Sequence, residues 1–150
     1  MITISIPIES GLPTYTAQQR RWAVRAGRPV TYPDKRAKAT KAALVALLLP
    51  HAPANPIAVP VRLDILLTYP YRTTDRQARK AGAEVIKSTR PDLDNSMKLL
   101  QDTMTACGYW TDDSLIADLH VRKVYGREPG LRMTIDTIET TERKETNERK

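Results

Sequence analysis

The stretch RPDLDNSMKLLQDTMTACGYWTDDSLI, residues 90–116, sets Asp92, Asp94, Asp112 and Asp113 around a short apolar segment, in a chain whose formal net charge is +7. Met97, Leu100, Met104 and Cys107 recur at intervals of three, four and three, which predicts a helix beginning at Asp94 and stopped by Gly108. On that helix Asp94, Lys98 and Asp102 follow one another at four-residue spacing, a polar stripe opposite the apolar face. Asp92 points to the same side if the chain before the helix is extended, as the fixed φ of Pro91 favours. Two carboxylates then converge at a helix N-terminus. Like charges held together need a cation or a raised pKa, and Mg2+ is commonly held by one or two carboxylates, with water and phosphate oxygens completing its shell. If the YWTDD turn folds back beside the helix, Asp113 or Asp112 supplies a third acidic ligand. Lys98 could then stabilise phosphate charge or position a water.

A blander reading competes. Asp and Asn are favoured helix caps, worth about 1 kcal/mol, and acids at a helix start suit its dipole without any catalysis. An acidic pair in a turn is usually just solvated. A calcium-binding EF-hand is excluded: counting from Asp92, the loop would put Met97 where it needs glycine and Thr103 where it needs glutamate.

The elements that must carry this constellation follow from the rest of the chain. Its 150 residues, 41% hydrophobic and 27% charged, suit one globular domain that buries roughly two-thirds of its unfolded surface. Phenylalanine is absent, so the core must rest on Leu, Ile, Val, Ala and Met. One cysteine, Cys107, cannot make an internal disulfide, and with two histidines it cannot form a structural zinc site. A cytoplasmic setting fits. The N-terminal MITISIPIESGLP lacks the features of a signal peptide, and AALVALLL is too short to span a bilayer.

ITISIPI alternates as a first strand, with Ile2, Ile4 and Ile6 on one face. Residues 9–31 read as a long connection with room for a helical turn around Thr16–Arg25. PDKRAKATKAALVALLL reads as a helix, with Pro33 in its first turn, Asp34 suited to its dipole and Pro50 ending it. VRLDILLTY is a second strand that buries Val61, Leu63, Ile65 and Leu67. Residues 71–90 lack apolar periodicity and read as a mobile loop. After the acidic helix, residues 115–122 alternate as a third strand, and RMTIDTI forms a fourth, paired to the third as a hairpin through GREPG. The order β-α-β-α-β-β implies an α+β fold with a small mixed sheet and packed helices. Residues 1–138 form the expected domain, and 139–150 a disordered charged tail.

Charge is unevenly spread. Residues 20–41 carry Arg20, Arg21, Arg25, Arg28, Lys35, Arg36, Lys38 and Lys41 against Asp34 alone. Residues 71–90 add Arg72, Arg76, Arg79, Lys80, Lys87 and Arg90 against Asp75 and Glu84. Such stretches attract polyanions, nucleic acid above all. Trp22 could stack on an unpaired base, whereas Trp110 fits the core or a support for the DD turn, and His120 a strand surface.

With those residues in place, RPDLDNSMKLLQDTMTACGYWTDDSLIADLHVRK, residues 90–123, resembles the core signature of the RusA family of Holliday junction resolvases. The family pattern is Asp-x-Asp-Asn at a helix start, a lysine one turn later, an aspartate in the next turn, then a glycine, an aromatic and an acidic pair before a strand ending in lysine. Asp92, Asp94, Asn95, Lys98, Asp102, Gly108, Trp110, Asp112, Asp113 and Lys123 match it. The resemblance implies that Asp92, Asp94 and Asp113 are catalytic, metal-binding carboxylates, that Asp112 is the second member of its pair, and that Lys98 is a basic partner. Asn95 and Asp102 would support the site. It also implies homodimers with two active sites, and a bacterial or phage setting. Residues 9–31 and 71–90 depart most from the family.

The leading expectation is therefore an Mg2+-dependent endonuclease, with Mn2+ able to substitute, that cuts four-way DNA junctions at symmetric positions in recombination and repair. Arg20, Arg21, Lys35, Arg36, Lys38, Arg76, Arg79, Lys80 and Lys123 are the candidate DNA contacts. The alternatives are a branched-DNA-binding protein that does not cut, and a metal-dependent nuclease acting on flaps or forks.

Overall fold

The structure is a computed structural model that describes residues 1–14, 20–33 and 35–139. Asp34 and residues 140–150, most of the expected tail, lie outside the described residues. The elements are β1 (Ile2–Pro7), β2 (Arg20–Arg25), β3 (Arg28–Pro33), α1 (Lys35–Leu48), β4 (Val61–Pro70), α2 (Arg76–Ala81), β5 (Val85–Ile86), α3 (Leu93–Ala106), β6 (Ile116–Gly126) and β7 (Gly130–Thr137). A five-stranded mixed sheet in the order β1-β7-β4-β6-β5 carries the fold, and β2 and β3 form a separate two-stranded sheet.

The central strand β4 follows the period-2 rule. Val61, Leu63, Ile65, Leu67 and Tyr69 are buried, while Arg62 and Pro70 are exposed. The buried face meets Leu44 and Leu48 of α1 and Met97, Leu100 and Met104 of α3 in one core, joined by Leu131, Met133 and Ile135 of β7. Pro50 lies in a short 3-10 turn, Leu49–His51, that closes α1. Aromatic residues also contribute. Trp110 is fully buried and donates its Nε1–H to Thr105 Oγ1 at 2.8 Å, so it is a core residue. Tyr109 donates its hydroxyl to Leu48 O at 2.8 Å, pinning the end of α3 to the end of α1.

Three expectations are corrected. The strands β6 and β7 do not pair as a hairpin, because β4 lies between them, parallel to β6 and antiparallel to β7. The connection at residues 127–129 crosses the end of β4. Gly130 permits this arrangement: a Cβ there would overlap the carbonyl oxygen of Ile6 on β1. The second correction concerns residues 20–25, expected in a connection with a helical turn and found as β2, paired with β3. Residues 16–19 of that expected turn lie outside the described residues.

The third correction concerns residues 71–90, which contain α2 and β5 rather than a structureless loop. Polar and aromatic contacts, not apolar periodicity, order them. The Asp75 carboxylate accepts hydrogen bonds from the Arg72 backbone N–H at 3.0 Å, Nε at 3.0 Å and Nη2 at 2.8 Å. Those bonds hold its pKa below the usual carboxylate value. Tyr71 donates to Ala83 O at 2.8 Å, and the Arg79 guanidinium lies 5.8 Å from the Tyr71 ring centre. Gly82, with φ +67°, ends α2.

Candidate active site and basic surfaces

The helix α3 starts at Leu93, one residue before the expected Asp94, and its two faces divide as expected. Met97, Leu100 and Met104 are buried, while Asp94, Lys98 and Asp102 are exposed. Asp92 takes the N-cap position in extended backbone, with φ −68° and ψ 142°. Its carboxylate does not cap the helix. Instead its main-chain carbonyl accepts from Ser96 N–H at 3.1 Å and from the Ser96 hydroxyl at 2.9 Å. The capping alternative thus fails for the Asp92 side chain, which is left exposed beside Asp94.

The distribution of partners singles out the acidic group. Between residues 60 and 137, seven acids are committed: Asp64 to Arg62, Asp75 to Arg72, Glu84 to Arg122, Asp112 to Ser114, Asp118 to Arg62 and His120, Glu128 to Arg132, and Asp136 to the N-terminal ammonium. Among the described residues, the acids of that span with no side-chain hydrogen bond or ion pair are Asp92, Asp94, Asp102 and Asp113. All four come from the predicted constellation.

The DD pair is divided by the same test. The Asp112 carboxylate accepts the Ser114 N–H at 2.8 Å, which caps a 3-10 turn at Asp113–Leu115; the Ser114 side chain first, and then this N–H, lower the Asp112 pKa. Asp113 is exposed and uncommitted. Its turn touches α3, yet among the described residues no three acidic, histidine or cysteine side chains converge at metal-ligand spacing. The third carboxylate therefore does not complete a closed cage. What the chain presents is an open pair of hard oxygen donors, Asp92 and Asp94. That donor set fits Mg2+ or Mn2+, which tolerate few protein ligands when phosphate and water fill the rest of the shell.

Lys123, expected to contact DNA, does something more local. Its ammonium donates to Thr89 O at 2.7 Å and to Pro91 O at 2.6 Å, tying β6 to the strand of chain that delivers Asp92. The Arg90–Pro91 peptide within that strap is cis.

A second anchor, for which the sequence offers no periodic signal, is Lys87. It is 8% exposed and donates to Thr89 Oγ1 at 2.6 Å and to the Tyr125 hydroxyl at 3.1 Å. Its ammonium sits 4.9 Å from the Tyr69 ring centre and 4.8 Å from that of Tyr125. The Arg72 guanidinium lies 4.5 Å from the Tyr125 ring centre. Cations over aromatic faces are attracted by the ring quadrupole, more strongly when water is excluded. Thr89 and then Lys87, by their hydrogen bonds, lower the Tyr125 pKa. The strap of residues 87–91 is thus held by two lysines at its two ends.

Of the other basic candidates, Arg76, Lys80, Lys35 and Lys38 are exposed and without partners among the described residues, and Arg36 is exposed. Arg79 donates to Tyr71 O at 3.3 Å and shares in folding α2. Arg20 and Arg21 lie on β2. The first turn of α1 is basic and has no acid, the reverse of what the helix dipole favours. Among the described residues no helix is long and apolar enough to cross a membrane.

Comparison with known proteins identifies the family. A family model described as endodeoxyribonuclease RusA matches residues 12–136. A crossover junction endodeoxyribonuclease, rusA, of Lactococcus phage r1t is 35% identical over 80 residues, 53% of this chain. The matched stretch spans 56% of that phage protein. An uncharacterized protein of Bacillus subtilis, YqaN, is 27% identical over 137 residues, covering 88% of this chain and 91% of the relative. With the family model spanning most of the fold, the chain belongs to the RusA family of endodeoxyribonucleases.

Proposed function

We propose that this protein is a divalent-metal-dependent endodeoxyribonuclease that resolves four-way DNA junctions by paired, symmetric cuts. The observation that carries the reading is the exposed, uncommitted Asp92–Asp94 pair at the start of α3, in a fold where seven of the eleven acids between residues 60 and 137 are engaged. Asp92 and Asp94 would hold Mg2+, or Mn2+ in its place, with Asp113 joining them from the adjoining turn and Asp112 holding that turn in shape. When bound, such a cation supplies Lewis-acid polarisation of the scissile phosphate and a lowered pKa for attacking water.

The chain's own groups do the rest. Lys98, one turn along from Asp94 on the exposed face, would neutralise charge on the phosphoryl oxygens. Asn95, partly buried in the first turn, and Asp102, at the far end of the stripe, support the site. The free N–H groups at the start of α3 add positive potential toward the phosphate. Lys123 and Lys87 fix the strap, so that Asp92 is presented without a large ordering cost. The exposed bases of α1 and α2 supply contacts to the sugar-phosphate backbone, which give salt-sensitive affinity with little sequence content. A two-fold dimer would present equivalent sites to opposed strands of a junction.

Cleavage mapping on a panel of four-way junctions, flaps, forks and duplexes in Mg2+ tests this reading. Paired nicks at symmetric positions of the four-way junction support it. Equal or better cleavage of flaps and forks would transfer the site to another branched substrate.

A further inference from the structure

The described tip of the β2–β3 hairpin, residues 23–29, buries nothing. The hairpin forms its own sheet, and none of its described residues belongs to the hydrophobic core. Residues 23–29 are exposed on both faces, with Val24 at 74%. An isolated two-stranded hairpin is marginally stable in water, so burial does not explain this one. Its turn is nonetheless well defined: Ala26 and Gly27 have φ of 49° and 75°, the two positive values of a tight two-residue hairpin turn. Arg25 and Arg28 flank that turn as a directly opposed pair and therefore share one face of the tip. Residues 20–33 contain four arginines and no acid.

We propose that this hairpin is a DNA-contacting arm, distinct from the acidic site, which lies along a groove of a junction arm with Arg25 and Arg28 against its phosphates. Charge complementarity selects the occupant. A polyanion suits a tip that carries only positive charge, whereas a second copy of the same basic hairpin would be repelled. Size agrees, because the major groove of B-form DNA admits a two-stranded ribbon, and six residues of strand extend about 20 Å. The basic first turn of α1 begins two residues after β3 ends, so the chain adds further positive charge close behind the arm. Val24, on the opposite face of the ribbon, offers an apolar surface for base edges or sugars.

The proposal rests on the nuclease reading only for its substrate, and the test separates the two. Full-length wild type, Arg25→Ala/Arg28→Ala and Arg25→Lys/Arg28→Lys are titrated onto a labelled four-way junction and a duplex in EDTA, at several salt concentrations. Sedimentation and circular dichroism are run on each. The double alanine variant is expected to bind about tenfold more weakly, with a salt slope about 2 smaller, and the lysine variant to keep most of the slope. Unchanged affinity and slope in a folded alanine variant would overturn the proposal, as would a changed oligomeric state with DNA binding intact. If wild type binds but cuts no junction in Mg2+, the nuclease reading fails while the loss of affinity still supports the arm.

Discussion

Lys123 on β6 donates a 2.6 Å hydrogen bond to the carbonyl of Pro91, the residue immediately before Asp92. With the second bond to Thr89 O, one ammonium group holds the backbone that positions the first carboxylate of the site. Lys123→Met keeps the stem and removes the donor. It is expected to cost about 1 kcal/mol of stability and to weaken Mg2+ or Mn2+ binding about tenfold, because groups that orient metal ligands typically act at that scale. Calorimetric titration of metal measures it. Wild-type metal affinity in Lys123→Met would remove the clamp from the account.

The two acids of the YWTDD turn should behave differently. Asp113→Asn is expected to abolish cleavage, since its carboxylate is free to face a metal. Asp112→Asn should keep most cleavage and lower the thermal midpoint, because Asp112 is engaged by Ser114 N–H. Its pKa is lower folded than unfolded, so the stabilisation is present above about pH 4 and lost as pH falls through the folded value. The difference between wild type and Asp112→Asn should therefore shrink in acid. A reversed order of cleavage loss would exchange the roles of the two residues.

Tyr69 offers a test at high pH. Its hydroxyl is buried and has no partner among the described residues, and burial raises its pKa to about 12. An unpaired buried hydroxyl costs free energy, so Tyr69→Phe, which keeps the ring beside Lys87, should be neutral or stabilising by up to about 1 kcal/mol. A raised folded pKa favours the neutral form: the benefit is complete below about pH 10 and declines as pH rises through the folded value. Denaturant melts from pH 9 to 12 should show a shallower decline in the phenylalanine variant. Clear destabilisation of Tyr69→Phe at neutral pH would mean the hydroxyl has a partner.

The apolar side of α3 anchors its acidic side. Leu100 is fully buried against the sheet, and Leu100→Ala should cost about 2–5 kcal/mol. Urea unfolding measures that. A loss below about 1 kcal/mol would mean that the helix is not held by this face.

The legible parts of the fold are those that obey a burial period. Val61 to Tyr69 alternate, and Met97, Leu100 and Met104 recur at helical spacing, because each faces the same core. The acidic stripe was legible for the complementary reason, that it lies opposite those residues. The hairpin tip at residues 23–29 was not, since a segment exposed on both faces has no buried side to imprint a pattern. Residues 71–90 have no apolar period because local polar contacts of Asp75 and Tyr71, and the contact of Lys87 with the distant Tyr125, order them. The pairing of β7 depended on β4 inserting beside it, a property of the whole sheet. Lys123 matched the family pattern, yet its structural partner, Pro91 O, lies 32 residues away.

The most direct measurement is cleavage of a synthetic four-way junction in Mg2+ by wild type and by Asp94→Asn, at protein concentrations giving equal junction occupancy. The account predicts paired symmetric nicks from wild type and none from Asp94→Asn. Equal cleavage by both proteins, or binding without nicks by either in Mg2+ and in Mn2+, would contradict it.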